Sequence, residues 1–151
     1  MALICTAGIV SRVRLRWIVS LMRKAVIRPT PEKLTAFVGS MVMASTVPRL
    51  RDDPWRPVVE QFVSGIPTFK ARANEARPFM LDIAPLAATN IPVLVVVGRE
   101  ETLHDGPEMA SRFRQRLPHA RVEVVDSANH FVFIDDTARV SAELRRFLNE
   151  G

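Results

Sequence analysis

The 151-residue sequence contains a single cysteine, Cys5, which excludes an internal disulfide and any zinc site built on several thiolates. A lone thiol fits a reducing compartment, so a cytoplasmic protein is expected. Histidine is also scarce. His104, His119 and His130 are scattered, with no His-Glu-x-x-His spacing, so no metal and no cofactor are expected. Long apolar runs are missing: Arg12, Arg14 and Arg16 end the amino-terminal run well short of the roughly 18 residues that a membrane-spanning helix needs. Ala2 to Val10 is apolar, but the arginines follow it, the reverse of the order in a secretory signal. There is no internal repeat and no low-complexity tract.

What is present is ordinary for a globular protein: 48% hydrophobic and 25% charged residues. A chain of this length folds as one domain and buries roughly two-thirds of its unfolded surface. The formal net charge of +5 is unevenly placed. Residues 1–90 hold 13 Lys and Arg against 6 Asp and Glu, whereas residues 91–151 hold 8 against 10. The excess lies in Arg12, Arg14, Arg16, Arg23, Lys24 and Arg28. Such a stripe can attract phosphates or acidic partners. No aromatic stacking pattern or binding motif accompanies it, so a solvated helix face is the expectation, with neither nucleic acid nor membrane as partner.

Three parts follow from the pattern. Residues 1–12 hold an apolar run, Ala2 to Ala7, closed by Gly8, which predicts a strand buried on both faces. Residues 13–84 read as helices punctuated by prolines. Thr30-Pro31-Glu32 supplies a cap hydroxyl, a first-turn proline and an early carboxylate, followed by Leu34, Phe37, Val38, Met41 and Val42 at helical spacing. Asp53-Pro54-Trp55 opens a second helix in the same way, with Val58, Val59, Phe62 and Val63 inward and Gly65 and Pro67 at its end. Met41, Met43, Phe62 and Phe69 are expected to pack in the core. Residues 85–151 are the most legible. Val93 to Val97 is β-branched without polar alternation, which predicts a central parallel strand. Asp105 caps the next helix, with Glu108 placed as in a capping box and Met109, Ala110, Phe113 and Leu117 on its core face, until Pro118 stops it. Arg121 to Val125 is another strand, and Asp136 caps a last helix whose inner face is Val140, Leu144, Phe147 and Leu148. Strand, helix, strand, helix with short links is a right-handed parallel βαβα unit.

Functional groups gather where a chain leaves the carboxyl ends of parallel strands. The exit Gly98-Arg-Glu-Glu101 delivers two carboxylates, and the exit Asp126-Ser-Ala-Asn-His130 delivers an imidazole. Consecutive strands are usually neighbours, so the two exits should lie side by side. A carboxylate beside an imidazole is the orienting half of a nucleophilic triad. Glu100 and Asp105 stand close enough to compete for that role, although Asp105 reads first as a helix cap. His104 and His119 read as surface residues.

The run Ile91-Pro-Val-Leu-Val-Val-Val-Gly-Arg-Glu-Glu, the helix ending Arg-Leu-Pro-His-Ala, and Val-Glu-Val-Val-Asp-Ser-Ala-Asn-His together resemble the end of α/β-hydrolase-fold enzymes. By that resemblance His130 matches the catalytic histidine, and Glu101, three residues past Gly98, matches the triad acid, where Asp is more usual. The fold class implied is α/β: a partial α/β-hydrolase fold with a short parallel sheet of about three strands, flanking helices and a helical cap-like insertion.

The family's nucleophile sits on a sharp turn, normally Gly-x-Ser-x-Gly. The glycines here, at 8, 39, 65, 98, 106 and 151, include no pair four apart. The nucleophile and oxyanion donors are therefore expected upstream of this sequence, and without them covalent catalysis should be lost. The expectation is a carboxy-terminal fragment, inactive alone, of a hydrolase cleaving an ester or related acyl-type bond in a small apolar substrate. The alternative is a non-catalytic remnant or interaction module that keeps the fold. Self-association through an exposed sheet edge is expected in either case.

Overall fold

The computed structural model describes residues 1–4, 6, 9–68 and 82–150. Expectations resting on Cys5, Ala7, Gly8 and Phe69 lie outside the described residues. The sheet has three strands in the order β1-β2-β3, all parallel: β1 (Ala2–Ile4), β2 (Val93–Gly98) and β3 (Ala120–Val125). Ala2 stands opposite Leu94 and Ile4 opposite Val96. On the other side of β2 the register runs from Val93↔Ala120 to Gly98↔Val125. As its β-branched run predicts, β2 is buried along its whole length. β1 departs from expectation. It lies at the sheet edge, with Ala2 exposed and Leu3 and Ile4 half-buried, because only β2 pairs with it among the described residues.

Helices cover both faces of the sheet. Val93, Val95 and Val97 pack against Met109, Ala110 and Phe113 of α5 (Gly106–Arg116) and against Leu117, which follows it. Leu94 and Val96 point the other way, toward Val132 of α6 (Val132–Asp135) and Val140, Leu144 and Phe147 of α7 (Thr137–Asn149). Leu148, expected on the inner face of α7, is 67% exposed; one residue past Phe147, it has turned about 100° away from the sheet. The caps on α5 and α7 form as the sequence predicts, with Asp105 accepting from the Glu108 amide and Asp136 from the Arg139 amide. Glu108 does not reach back to close a capping box; its carboxylate pairs with Arg112 one turn on.

Between β1 and β2 the described chain is helical. α1 (Leu15–Leu21) runs into a π-turn, Met22–Val26. Thr30 caps α2 (Pro31–Gly39), its hydroxyl accepting from the Lys33 amide. Leu34, Phe37, Val38, Met41 and Val42 are all buried, as their spacing predicts. A 3₁₀ turn, Val47–Arg51, leads to α3 (Trp55–Thr68), and α4 (Ala84–Ala87) precedes β2.

α3 differs from expectation in three respects. Asp53 does not cap it: the Trp55 and Arg56 amides bond to the Asp52 carbonyl, and the Asp53 carboxylate pairs with Arg56. Pro67 lies inside the helix rather than ending it; being one residue from the terminus, it costs the last turn only a single amide bond. Val58 is 47% exposed because the inner face is set by Val59, Phe62 and Val63. Leu103 and Ile134, from the strand-exit side, are buried among the helical residues and join this region to the sheet.

The tightest contacts in the fold are between backbones. A Cβ on Gly98 would sit 2.3 Å from the carbonyl oxygens of both Ala128 and Asn129, and one on Gly106 would sit 2.1 Å from the Gly98 carbonyl. Gly98→Ala is therefore expected to destabilise the protein by more than about 4 kcal/mol, the range of substitutions with a specific steric cause. Urea denaturation followed by circular dichroism measures this loss.

Candidate functional site

The site forms where β2 and β3 end side by side. After Gly98 the first exit is held to the second by two backbone bonds, from the Arg99 amide to the Val125 carbonyl and from the Glu100 amide to the Ala128 carbonyl. The Glu100 carboxylate accepts from the Ala128 amide at 3.0 Å. Arg99 pairs with Asp126 across the outer ends of the loops, which raises the guanidinium pKa and lowers that of the carboxyl through their hydrogen bond. Ser127 turns the second exit with a φ of 54°.

These ties carry Glu101 and His130 inward. Glu101 is 2% exposed and His130 7%. His130 Nδ1 donates to Glu101 Oε2 at 2.8 Å, and Glu101 Oε1 accepts from the Leu103 amide at 2.8 Å. Against an ionised carboxylate, which only accepts, Nδ1 carries the proton, and in a neutral ring the lone pair then falls on Nε2. That is the tautomer a general base requires.

Glu100 and Asp105 are placed otherwise. Glu100 is bound to the Ala128 amide, and Asp105 caps α5 and pairs with Arg14 at 3.2 Å. The structure thus brings Glu101 to His130 and leaves the two competing carboxylates in other roles. His119 is exposed, as its place between α5 and β3 predicts.

His104 corrects an expectation, for it is 1% exposed and not a surface residue. Arg14 accounts for the difference. Its amide bonds to the Leu103 carbonyl and its guanidinium to the Glu101 carbonyl, so residues 10–14 fold down over the acid loop. Ser11 Oγ lies 3.0 Å from His104 Nδ1, and the Arg12 carbonyl lies 3.1 Å from the same nitrogen. This is a buried serine beside a histidine, yet it is not a nucleophile and its base. A carbonyl only accepts, so Nδ1 carries the proton and has no lone pair with which to activate Ser11.

Two residues at the site were not assigned from the sequence. Asn129 is read there only as a member of the Asp126-Ser-Ala-Asn-His130 exit, and Asp135 is not singled out at all. Asn129 is 8% exposed, with its side-chain oxygen on the Thr102 and His130 amides. Asp135 accepts from the amides of Met43 and Asn129. The signal for Asn129 was the motif itself, whereas nothing in the sequence marks Asp135. Among the described residues no group of three or more His, Cys, Asp and Glu is placed to hold a metal ion, and no helix is long and apolar enough to cross a membrane.

Burial lowers the pKa of His104 from the ordinary 6.5, outweighing the opposing pull of the Arg12 carbonyl and of Glu101. The folded state therefore holds a neutral His104, while the unfolded state takes up a proton below about pH 6.5. Stability is retained above that pH and falls as pH drops toward the lower folded value. His104→Gln is expected to flatten the fall in unfolding free energy below about pH 6.5, as read from urea denaturation repeated across pH.

No family model matches the chain, and no curated protein matches it by sequence. Solved structures do match. The naproxen esterase (carboxylesterase NP) of Bacillus subtilis is 18% identical with a TM-score of 0.75, the match covering 97% of this chain and 50% of that one. The meta-cleavage product hydrolase CumD of Pseudomonas fluorescens IP01 is 16% identical with a TM-score of 0.71, covering 99% and 55%. A thermophilic esterase is 22% identical with a TM-score of 0.54, again covering 99% and 55%. The chain spans about half the length of each of these structures. At such identities the likeness is one of fold, and the fold of this chain is a partial α/β-hydrolase fold.

Proposed function

We propose that the chain is the carboxy-terminal, acid-and-base part of a hydrolase that cleaves an ester or related acyl-type bond in a small apolar molecule. The observation that carries this reading is the buried hydrogen bond from His130 Nδ1 to Glu101 at 2.8 Å, at the carboxyl ends of neighbouring parallel strands. In the complete site a nucleophilic hydroxyl, contributed by a segment outside this chain, gives its proton to His130 Nε2 and attacks the acyl carbon. His130 then returns the proton to the departing alkoxide, and water takes the same route to release the acyl group. Glu101 holds the tautomer and stabilises the imidazolium without taking the proton itself. The helical region at 13–84 would serve as a cap over the site. The lone cysteine supports a cytoplasmic setting.

Two surfaces support the fragment reading. The outer edge of β1 has no strand partner among the described residues. Leu15, Val19, Met22 and Val26 recur one helical turn apart and are 74%, 48%, 41% and 54% exposed. Open edges and continuous apolar stripes are uncommon on a finished monomer.

Sedimentation velocity is expected to show concentration-dependent self-association of the isolated chain. A monodisperse monomer with a cooperative melt would contradict the fragment reading. In a p-nitrophenyl ester assay the isolated chain should give no turnover above buffer, and turnover that disappears in His130→Ala would overturn its inactivity alone. An in-frame Gly-x-Ser-x-Gly, roughly 20–40 residues upstream of Met1 in the DNA, would identify the missing half; its absence would favour a non-catalytic remnant.

A further inference from the structure

The buried side chain of Asn129 joins three separate segments at one point. Its Oδ1 accepts from the Thr102 amide at 2.8 Å, the Thr102 hydroxyl at 2.6 Å and the His130 amide at 2.7 Å. Its Nδ2 donates to the Ser40 carbonyl at 3.4 Å and the Val42 carbonyl at 3.3 Å. The opposite amide orientation would set N–H groups against N–H groups and a carbonyl against two carbonyls, so the partners fix the assignment. Thr102 is the neighbour of Glu101, His130 carries the base, and Ser40 and Val42 follow α2 in the helical region. Two further bonds run beside the amide: the Phe131 amide donates to the Met41 carbonyl at 2.8 Å, and Asp135 bridges the amides of Met43 and Asn129.

We propose that Asn129 is the positioning residue that couples the placement of the 40–43 segment to the geometry of the His130–Glu101 pair, an inference that rests on the acid–base reading above. Both members of the pair are oriented through this one amide, since it holds the backbone of His130 and of the residue after Glu101. Displacing the 40–43 segment withdraws the two carbonyls that orient Nδ2, and the amide then turns. The sheet register brings the two groups together, and the seated helical region fixes their final orientation through this amide. A substrate or partner that lifts or seats this region thereby changes the orientation of the His130 ring toward Glu101.

The test uses the full chain uniformly labelled with ¹⁵N, in wild type and Asn129→Asp. Aspartate keeps an acceptor for the Thr102 and His130 amides but sets a carboxylate oxygen against the Ser40 and Val42 carbonyls. In the wild type, His130 should be held as the Nδ1–H tautomer with a slowly exchanging ring proton. In Asn129→Asp that proton should broaden and the tautomers mix, and the Met43 and Phe131 amides should exchange at least about tenfold faster, as expected for newly unpaired buried groups. The His104 tautomer should stay unchanged, a signature that general unfolding would not preserve. If Asn129→Asp does not fold, Thr102→Val removes one of the accepted bonds and should still broaden the His130 proton. A wild-type chain without the Nδ1 proton overturns the acid–base reading and this inference with it. A wild-type proton that persists unchanged in the folded variant overturns the coupling alone.

Discussion

The site depends first on the pairing of β2 with a parallel strand on each side. Parallel strands deliver both exits at the same end of the sheet, and the Gly98↔Val125 register brings the two exits level. The chains then pass so closely that no side chain fits at Gly98 or Gly106. The acid and the base therefore meet through backbone geometry before any side-chain attraction acts. Their hydrogen bond is a consequence of the sheet register, which would fail if β3 slipped by one residue.

Burial explains why so many polar groups surround so small a site. A buried carboxylate is stable only when its oxygens are matched by donors, and Glu101 has the Leu103 amide on one oxygen and His130 on the other. Glu100, Asn129 and Asp135 each bind backbone amides of the same loops. Nearby, the exposed pair Arg99–Asp126 contributes little to stability, although it closes the outer ends of the exits. The useful hydrogen bonds are thus the buried ones, and they knit the helical region, the acid loop and the histidine loop into one network.

A fold of this kind carries many chemistries, so the likeness to esterases and to a meta-cleavage product hydrolase identifies an architecture and not a substrate. The functional reading rests on the paired groups. It also rests on what the sequence lacks, since no Gly-x-Ser-x-Gly turn accompanies the Glu101–His130 pair.

Local signals in the sequence were strong at most positions where structure depends on near neighbours, although Asp53 does not cap α3 and Glu108 closes no capping box. Thr30, Asp105 and Asp136 cap their helices as read, because capping involves only the next three or so residues. The β-branched run made β2 legible as a central strand, and the strand–helix–strand order placed Glu101 and His130 at adjacent exits. The errors arose where distant segments decide. β1 reads as fully buried, yet it sits at an edge. His104 reads as a surface residue until residues 10–14 fold over it, and Val58 and Leu148 lie just off faces whose phase the packing sets. Asn129 and Asp135 could not be assigned either, since their roles are bonds to residues far along the chain. The sequence by itself determined most of the elements, three of their caps and the adjacency of an acid loop and a histidine loop, because these follow from periodicity and short-range sterics. Only the tertiary structure decided which carboxylate meets His130 and which side chains hold the pair in place, because burial and backbone contact across the chain are properties of the packed fold.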